Sequence, residues 1–323
     1  MADWLRKAVV TGGGGFIGSA LIRNLLGRGV AVHNLDYIPN KFGHSLLTHF
    51  QGSFLDHGLV REAFSGADCV FHLAATTFTR EANANPLRDA EENILGTLRL
   101  LQIASESYVK KVVFCSSGGT VYGPHDQVPI HEDAATNPVS AYGTSKLACE
   151  KYMRLFDAES ASGMGNGELR TISLRVANPY GADQNIGKAQ GALATFCHHA
   201  VSDQPITIWG DGSVERDYID VRDVAEALYL AAARREIAGR EVNIGSGYGT
   251  SLNELLEMIS QALGRMPEVI YQKNRSFDVP RNYLDIRVAR ELLGWHPKIE
   301  LQDGIVELLE QMKARMDGAS KPA

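Results

Sequence analysis

The apolar run "KAVV" (7–10) passes directly into "TGGGGFIG" (11–18), and a helical pattern, "GFIGSALIRNLLGRG", begins inside that glycine stretch. A strand that becomes a helix through glycines leaves few folds open. Glycine permits the backbone angles of a tight turn. The first turn of the helix then carries N–H groups with no intrahelical acceptor. Short apolar runs go on alternating with longer amphipathic stretches. "VAVHNLD", "CVFHLAA", "KKVVFCSS" and "LRTISLRVAN" read as strands, and "LTHFQG" as a weak one. "PLRDAEENILGTLRLLQIASESY" and "VSAYGTSKLACEKYMRLFDAES" read as long helices. Strands separated by helices predict an α/β fold: a Rossmann-type, doubly wound parallel sheet with helices on both faces.

After about residue 178 the rhythm changes. "NPYGADQNIGKAQ" is a polar loop, followed by a helix in "ALATFCHHAV" and the short strand "PITIWG". "RDYIDVRDVAEALYLAAAR" and "EVNIGSG" read as a return to the main sheet. "SLNELLEMISQAL" and "VARELLG" read as C-terminal helices, and "ASGMGNGE" as a glycine-rich surface loop. The expected domains are residues 1–177 plus about 216–246 for the sheet domain. A smaller, discontinuous lobe takes 178–215 and 247–316, with 317–323 a frayed tail.

Net charge is −6, from 32 basic and 38 acidic residues. With no basic stripe, there is no electrostatic footprint for nucleic acid. No apolar run approaches the roughly 18 residues of a membrane span. The N-terminus enters a strand-like run at once, so no signal peptide is expected. Cys69, Cys115, Cys149 and Cys197 lie far apart without metal-ligand spacing. They read as reduced thiols of a cytoplasmic protein with no metal site.

Gly12, Gly15 and Gly18 have the spacing and the position of a dinucleotide turn. The first permits the turn, the second lets a pyrophosphate approach the backbone, and the third lets helix and sheet pack closely. The helix start, at Phe16 and Ile17, offers N–H groups to the phosphates, while those two side chains read as packing. Asp36 ends the second strand, where a carboxylate accepts bonds from ribose hydroxyls and repels a 2′-phosphate. No arginine follows it directly, which favours NAD over NADP. Tyr142 and Lys146 in "AYGTSK" are four residues apart and share a helix face. A free tyrosine ionises near pH 10. A nearby ammonium and a positive nicotinamide ring favour the phenolate, making Tyr142 a candidate base.

These motifs, with "HLAA", "ENILGTLRLL", "SSGGTVYG", "LRVANPYG", "GDGSVERDYIDVRDVA" and "VNIGSG", span nearly the whole chain. Together they resemble the extended short-chain dehydrogenase/reductase family, in particular its nucleotide-sugar epimerases and dehydratases, and most closely UDP-sugar 4-epimerases. The resemblance implies further cofactor contacts at Ser53, Phe54, Leu73, Ala74, Ala75, Asn93 and Ser116, with His72 beside them. Lys146 would also hold the nicotinamide ribose. It implies substrate contacts at Thr77, Ser117, Gly118, Asn178, Trp209, Arg216, Arg275, Asp278 and Asn282. The arginines suit a diphosphate because guanidinium makes charge-assisted, often bidentate bonds to it. The resemblance also implies a homodimer, built on residues 86–107 and 140–158, with Ile94, Leu98, Leu101, Leu147 and Met153 as candidate bundle positions.

Two positions depart from the family pattern. Ser53 stands where an adenine-contacting aspartate is usual. Gly118 stands where the catalytic serine or threonine is usual. The expected replacement hydroxyl is Ser117, with Thr120 the alternative. Dehydratases of this kind carry an Asp–Glu pair just before "VYG", and decarboxylases a glutamate; this chain has Gly119 and Thr120. Epimerisation needs only a base, a hydride acceptor and a sugar free to turn. The expected activity is therefore NAD-dependent 4-epimerisation of a nucleotide sugar, UDP-linked by resemblance. A 4-keto-sugar reductase and a catalytically silent member are the alternatives. The sugar stays open, with Asn282 leaning toward a roomy pocket.

Overall fold

The N-terminal half alternates strand and helix: β1 (Lys7–Thr11), α1 (Phe16–Leu26), β2 (Ala31–Asp36), β3 (Leu47–Gln51), α2 (His57–Phe64) and β4 (Cys69–His72). Then come α3 (Thr79–Ala84), α4 (Pro86–Asp89), a π-helical stretch at Ala90–Leu95, α5 (Gly96–Glu106), β5 (Lys111–Ser117), α6 (Ala141–Ala161) and β6 (Arg170–Val176). The second half adds β7 (Asn178–Tyr180), α7 (Ala192–Val201), β8 (Ile206–Trp209), β9 (Glu215–Arg216), β10 (Tyr218–Asp220), α8 (Val221–Ala233) and β11 (Arg240–Ile244). It finishes with β12 (Thr250–Ser251), α9 (Leu252–Leu263), β13 (Val269–Gln272), β14 (Arg281–Asn282), a π turn at Ala289–Leu293 and α10 (Leu301–Ala319). The structure, a computed structural model, describes residues 4–40, 42–77, 79–163, 168–181, 183–184, 191–273 and 279–319.

Seven parallel strands form one sheet in the order β11-β6-β5-β4-β1-β2-β3. Successive strand residues face opposite sides. Ala8 and Val10 join a core with Leu21 and Leu25 of α1 and Leu228 of α8. Val9 joins a second core with Phe64 of α2, Leu101 of α5 and Met153 of α6. Both faces are covered, which is why these strands read as continuous apolar runs. Each fully buried Val or Leu contributes roughly 1.5–3 kcal/mol. The chain leaves β1 toward β2 on one side and β4 lies on the other, so a crevice opens beyond the carboxyl ends of β1 and β4. A third core joins Phe196 of α7, Leu255 and Ile259 of α9, and Leu308 of α10. There α9 starts in a Ser251–Glu254 capping box and ends at left-handed Gly264.

Several sequence expectations need correction. The long helix expected from "PLRDAEENILGTLRLLQIASESY" is interrupted by the π stretch: the Thr97 hydroxyl and the Cys149 thiol both donate to the Asn93 carbonyl there, at 2.6 and 3.5 Å. "VARELLG" makes only a π turn. "EVNI" joins the main sheet, but "YID" pairs with β7 in a separate two-stranded sheet. Helix α10 is described to Ala319, and residues 320–323 of the expected frayed tail lie outside the described residues. Leu101 and Met153, candidates for either a dimer bundle or the core, are fully buried in the second core. Among the described residues, no helix is long and apolar enough to cross a membrane.

Candidate active site

The glycine turn sits at the mouth of the crevice. Gly12 has φ +75°, and a β-carbon there would stand 2.8 Å from the Ala74 amide nitrogen. A β-carbon at Gly18 would collide with the Gly12 carbonyl. Helix α1 begins after Gly15 with no side-chain cap and no acidic residue in its first turn. Its N–H groups and positive dipole end are therefore open to an anion. Phe16 borders a cavity of about 390 Å³ between α1, α8 and α10, and Ile17 packs on the first core, so their backbones rather than their rings or branches face the turn. The two carboxylate oxygens of Asp36 accept from the amides of Gly14 and Ile38, both at 2.9 Å. A carboxylate oxygen has room for more than one donor, so ribose hydroxyls can share it.

Around this turn the other expected cofactor positions divide. Leu73, Ala74 and Ala75 follow β4 beside Gly12, all partly exposed. Ser53 accepts from the Leu55 amide at 3.0 Å and keeps its own hydroxyl proton to give. Phe54 is buried and meets the His72 ring edge-on, with centroids 5.3 Å apart. His72 lies between the hydroxyls of Thr11 (2.8 Å) and Thr97 (3.0 Å). Burial, and then the Lys146 charge, hold it down at about pKa 3, so it stays neutral. It is a core residue and presents nothing to the crevice. The Ser116 hydroxyl likewise points inward, to Glu150 at 2.5 Å.

Ser140 caps α6 by accepting from the Gly143 amide at 3.1 Å, which starts the helix just ahead of Tyr142. Lys146 Nζ donates to the Cys115 carbonyl at 2.7 Å, and its charge stands 4.6 Å from the Phe114 ring centroid and 5.7 Å from that of Tyr142. Burial pushes the Tyr142 hydroxyl above its ordinary range; Lys146 pulls it down, while Cys115 and Asp89 push it up. A second positive charge at this place is what the phenol needs in order to ionise near neutral pH.

Asp89 is the residue the sequence reading missed. It is buried, and its carboxylate accepts from Thr77, from Ser145 and from Asn93 Nδ2 (2.9 Å). It lines a small cavity together with Tyr142, Lys146 and Cys149. Thr77 and Asn93 therefore turn their polar atoms toward each other and Asp89, with Asn93 Oδ1 taking the Thr76 amide at 3.1 Å. Only an acid in "PLRD" four residues before Asn93 hinted at this cluster.

The turn after β5 carries the hydroxyls. Ser117 is half-buried, and its hydroxyl makes no hydrogen bond among the described residues. Thr120 Oγ1 is buried and has no partner among the described residues. A β-carbon at Gly119 would lie 3.8 Å from Asn178 Oδ1 and 4.0 Å from Ser117 Oγ, so those two groups flank open space. At Gly118 the space is filled: a β-carbon would stand 2.5 Å from a Leu284 methyl and 3.1 Å from the Arg175 carbonyl. Asn282 is 2% exposed, donates to the Gly118 carbonyl at 3.4 Å, and keeps Oδ1 buried and, among the described residues, unpartnered. It pairs with Arg216 across β14 and β9, and Arg216 Nη1 donates to the carbonyls of Glu215 and Val279. Trp209, 39% exposed, ends β8 in the smaller sheets. Arg275 and Asp278 lie outside the described residues. Buried Asp217, also missed, accepts from Ser246 N (2.6 Å) and Leu284 N (3.1 Å) and so holds Leu284 in place.

The family model for the NAD dependent epimerase/dehydratase family matches residues 8–245, which include the glycine turn, Tyr142 and Lys146. The chain belongs to this family, and NAD is its cofactor. The "Putative UDP-glucose 4-epimerase" of Methanocaldococcus jannaschii is 36% identical, covering 94% of this chain and 98% of that relative. The "dTDP-4-dehydro-6-deoxyglucose reductase" of Escherichia coli is 34% identical, covering 95% and 98%. The crystal structure of UDP-glucose 4-epimerase from Thermotoga maritima with UDP-glucose superposes with a TM-score of 0.88, at 33% identity over 96% of this chain and 99% of that one. The open N–H groups of α1, the glycine turn and the Asp36 carboxylate suit the phosphates and ribose of NAD.

Proposed function

We propose that the protein is a nucleotide-sugar 4-epimerase with a UDP-sugar as substrate. The observation that carries this reading is the pairing of Tyr142 and Lys146 opposite a turn that holds hydroxyls but no acid. Tyr142 takes the proton of the sugar C4 hydroxyl. Lys146, fixed by the Cys115 carbonyl, stabilises the phenolate. Ser117 or Thr120 donates a hydrogen bond to the C4 oxygen. Bound at the glycine turn and Asp36, NAD would supply the hydride acceptor for C4 and the hydride for either face of the ketone. Elimination would need an acid to protonate a leaving hydroxyl, and residues 117–120 supply none. Asn178, Arg216, Arg275 and Asp278 hold the nucleotide while the sugar turns.

The test is incubation with UDP-glucose, UDP-N-acetylglucosamine and UDP-glucuronate, read by NMR for inversion at C4. Inversion with deuterium retained at C4 is the expected result. No inversion of any UDP-, dTDP- or GDP-sugar ends the proposal. A 4-keto-sugar reductase is the second reading, favoured by the reductase relative. It would consume reduced cofactor stoichiometrically, whereas an epimerase carries its nucleotide through purification. The same reading includes a homodimer, checked by light scattering.

A further inference from the structure

Beneath the hydroxyl-bearing turn lies a buried ion pair with no part in the chemistry above. Glu150 is 0% and Arg175 2% exposed, and the guanidinium meets the carboxylate at 2.7, 3.0 and 3.2 Å. Glu150 also accepts from the Ser116 hydroxyl at 2.5 Å. Arg175 donates to the Tyr122 hydroxyl at 2.9 Å, and that hydroxyl donates to Asn243 at 2.7 Å. Ser116 and Tyr122 are therefore the two ends of the turn that contains Ser117, Gly118 and Thr120. Between them the Gly118 amide donates to the Val176 carbonyl at 2.9 Å, next to Arg175 on β6.

The helix bearing Glu150 is the one that bears the base. Glu150 follows Lys146 by four residues and Tyr142 by eight, so all three lie on one face of α6. Neighbouring strand residues point to opposite sides of a sheet, so holding Ser116 inward turns Ser117 outward. With glycine at position 118, the turn has no side chain of its own there to fix its approach to Tyr142. We infer that Glu150 and Arg175 are positioning residues that set the Ser117–Thr120 turn in register with Tyr142. This inference rests on the epimerase reading only for what the turn then does.

Replacing Glu150 or Arg175 outright would strand a buried charge and threaten folding. Ser116→Ala and Tyr122→Phe each remove one link and leave the pair intact. In each, hydrogen exchange at the amides of 118–121 should quicken at least tenfold, while exchange at 172–174 of β6 stays as in the parent. Turnover should fall about 10- to 100-fold with KM within twofold, because a small misplacement at a reacting centre acts on kcat. Unchanged exchange in both variants overturns the proposal, whatever reaction the enzyme runs. So does faster exchange with kcat within twofold of the parent, or kcat falling only in step with rising KM. Faster exchange in the variants, with a parent that turns over no nucleotide sugar, sinks the epimerase reading and leaves the positioning intact.

Discussion

A β-carbon at Gly118 would stand 2.5 Å from the Leu284 side chain, so the glycine and the leucine occupy one space between them. Gly118, the position where the resemblance leads one to expect a hydroxyl, lies against a side chain from the C-terminal part of the chain. Asp217 fixes that side chain through the Leu284 amide. The space that a side chain at position 118 would take is thus filled from far along the chain.

Gly118→Ser should destabilise the protein by about 1–3 kcal/mol, because the core there is already full. Leu284→Ala alone should cost about 2–5 kcal/mol through the cavity it leaves. Residues in contact do not add. The double variant should therefore lose less than the sum of the two, measured by urea unfolding. Strict additivity would show that the two side chains do not compete.

Ser117→Ala should lower kcat about 10- to 100-fold, the value of one hydrogen bond to a group that gains charge in the transition state. Thr120→Val should cost less, since Thr120 Oγ1 is buried and has no partner among the described residues. If both variants turn over near normally, Tyr142 and Lys146 suffice and no hydroxyl of this turn reaches the substrate.

On the proposed mechanism Tyr142 acts as phenolate, so activity should rise with pH as it ionises. Asp89 and Cys115 raise its pKa and Lys146 lowers it, on top of the dominant effect of burial. Removing a negative neighbour makes ionisation easier, so Asp89→Asn should move the acid limb of kcat/KM to lower pH. Removing the positive neighbour does the reverse, so Lys146→Met should move it to higher pH. A limb that shifts the same way in both variants would exclude Tyr142 as the group it reports.

Lys111 is buried at the start of β5, and its ammonium donates to the carbonyls of Arg234 (2.6 Å) and Ile237 (2.8 Å) beyond the end of α8. Burial lowers its pKa from 10.5 to about 8. Between those values the unfolded chain holds the extra proton, so folding stability contributed by this site rises with pH. Compared with Lys111→Met, the parent should gain stability as pH climbs from 8 toward 10.5. A flat difference over that range would show that the ammonium is not desolvated.

The parts of the site legible in the sequence were those built from neighbours along the chain. The turn from β1 to α1 follows from spacing and period, and the Tyr142–Lys146 pair from its spacing together with its place after a nucleotide-binding half. Asp89 was not legible, because its importance comes from Ser145, 56 residues away, and from burial that no local pattern announces. Leu284 and Asp217 escaped for the same reason. The helix period marked Leu101 and Met153 as apolar face residues but could not say whether the core or a second chain would cover them. The break at Ala90–Leu95 depends on two donors competing for one carbonyl, which periodicity does not register.

Ile130 pairs with Leu284, and its amide and carbonyl bond the Tyr283 carbonyl and the Asp285 amide, each at 2.8 Å. Asn282 reaches Gly118 across 164 residues of sequence. During synthesis, then, the ribosome delivers the nucleotide turn, the base and the hydroxyls long before it delivers the floor on which the hydroxyls rest. The order of the chain and the order of assembly of this site are therefore different: the turn at 117–120 finds its support only after residues 282–285 have been added.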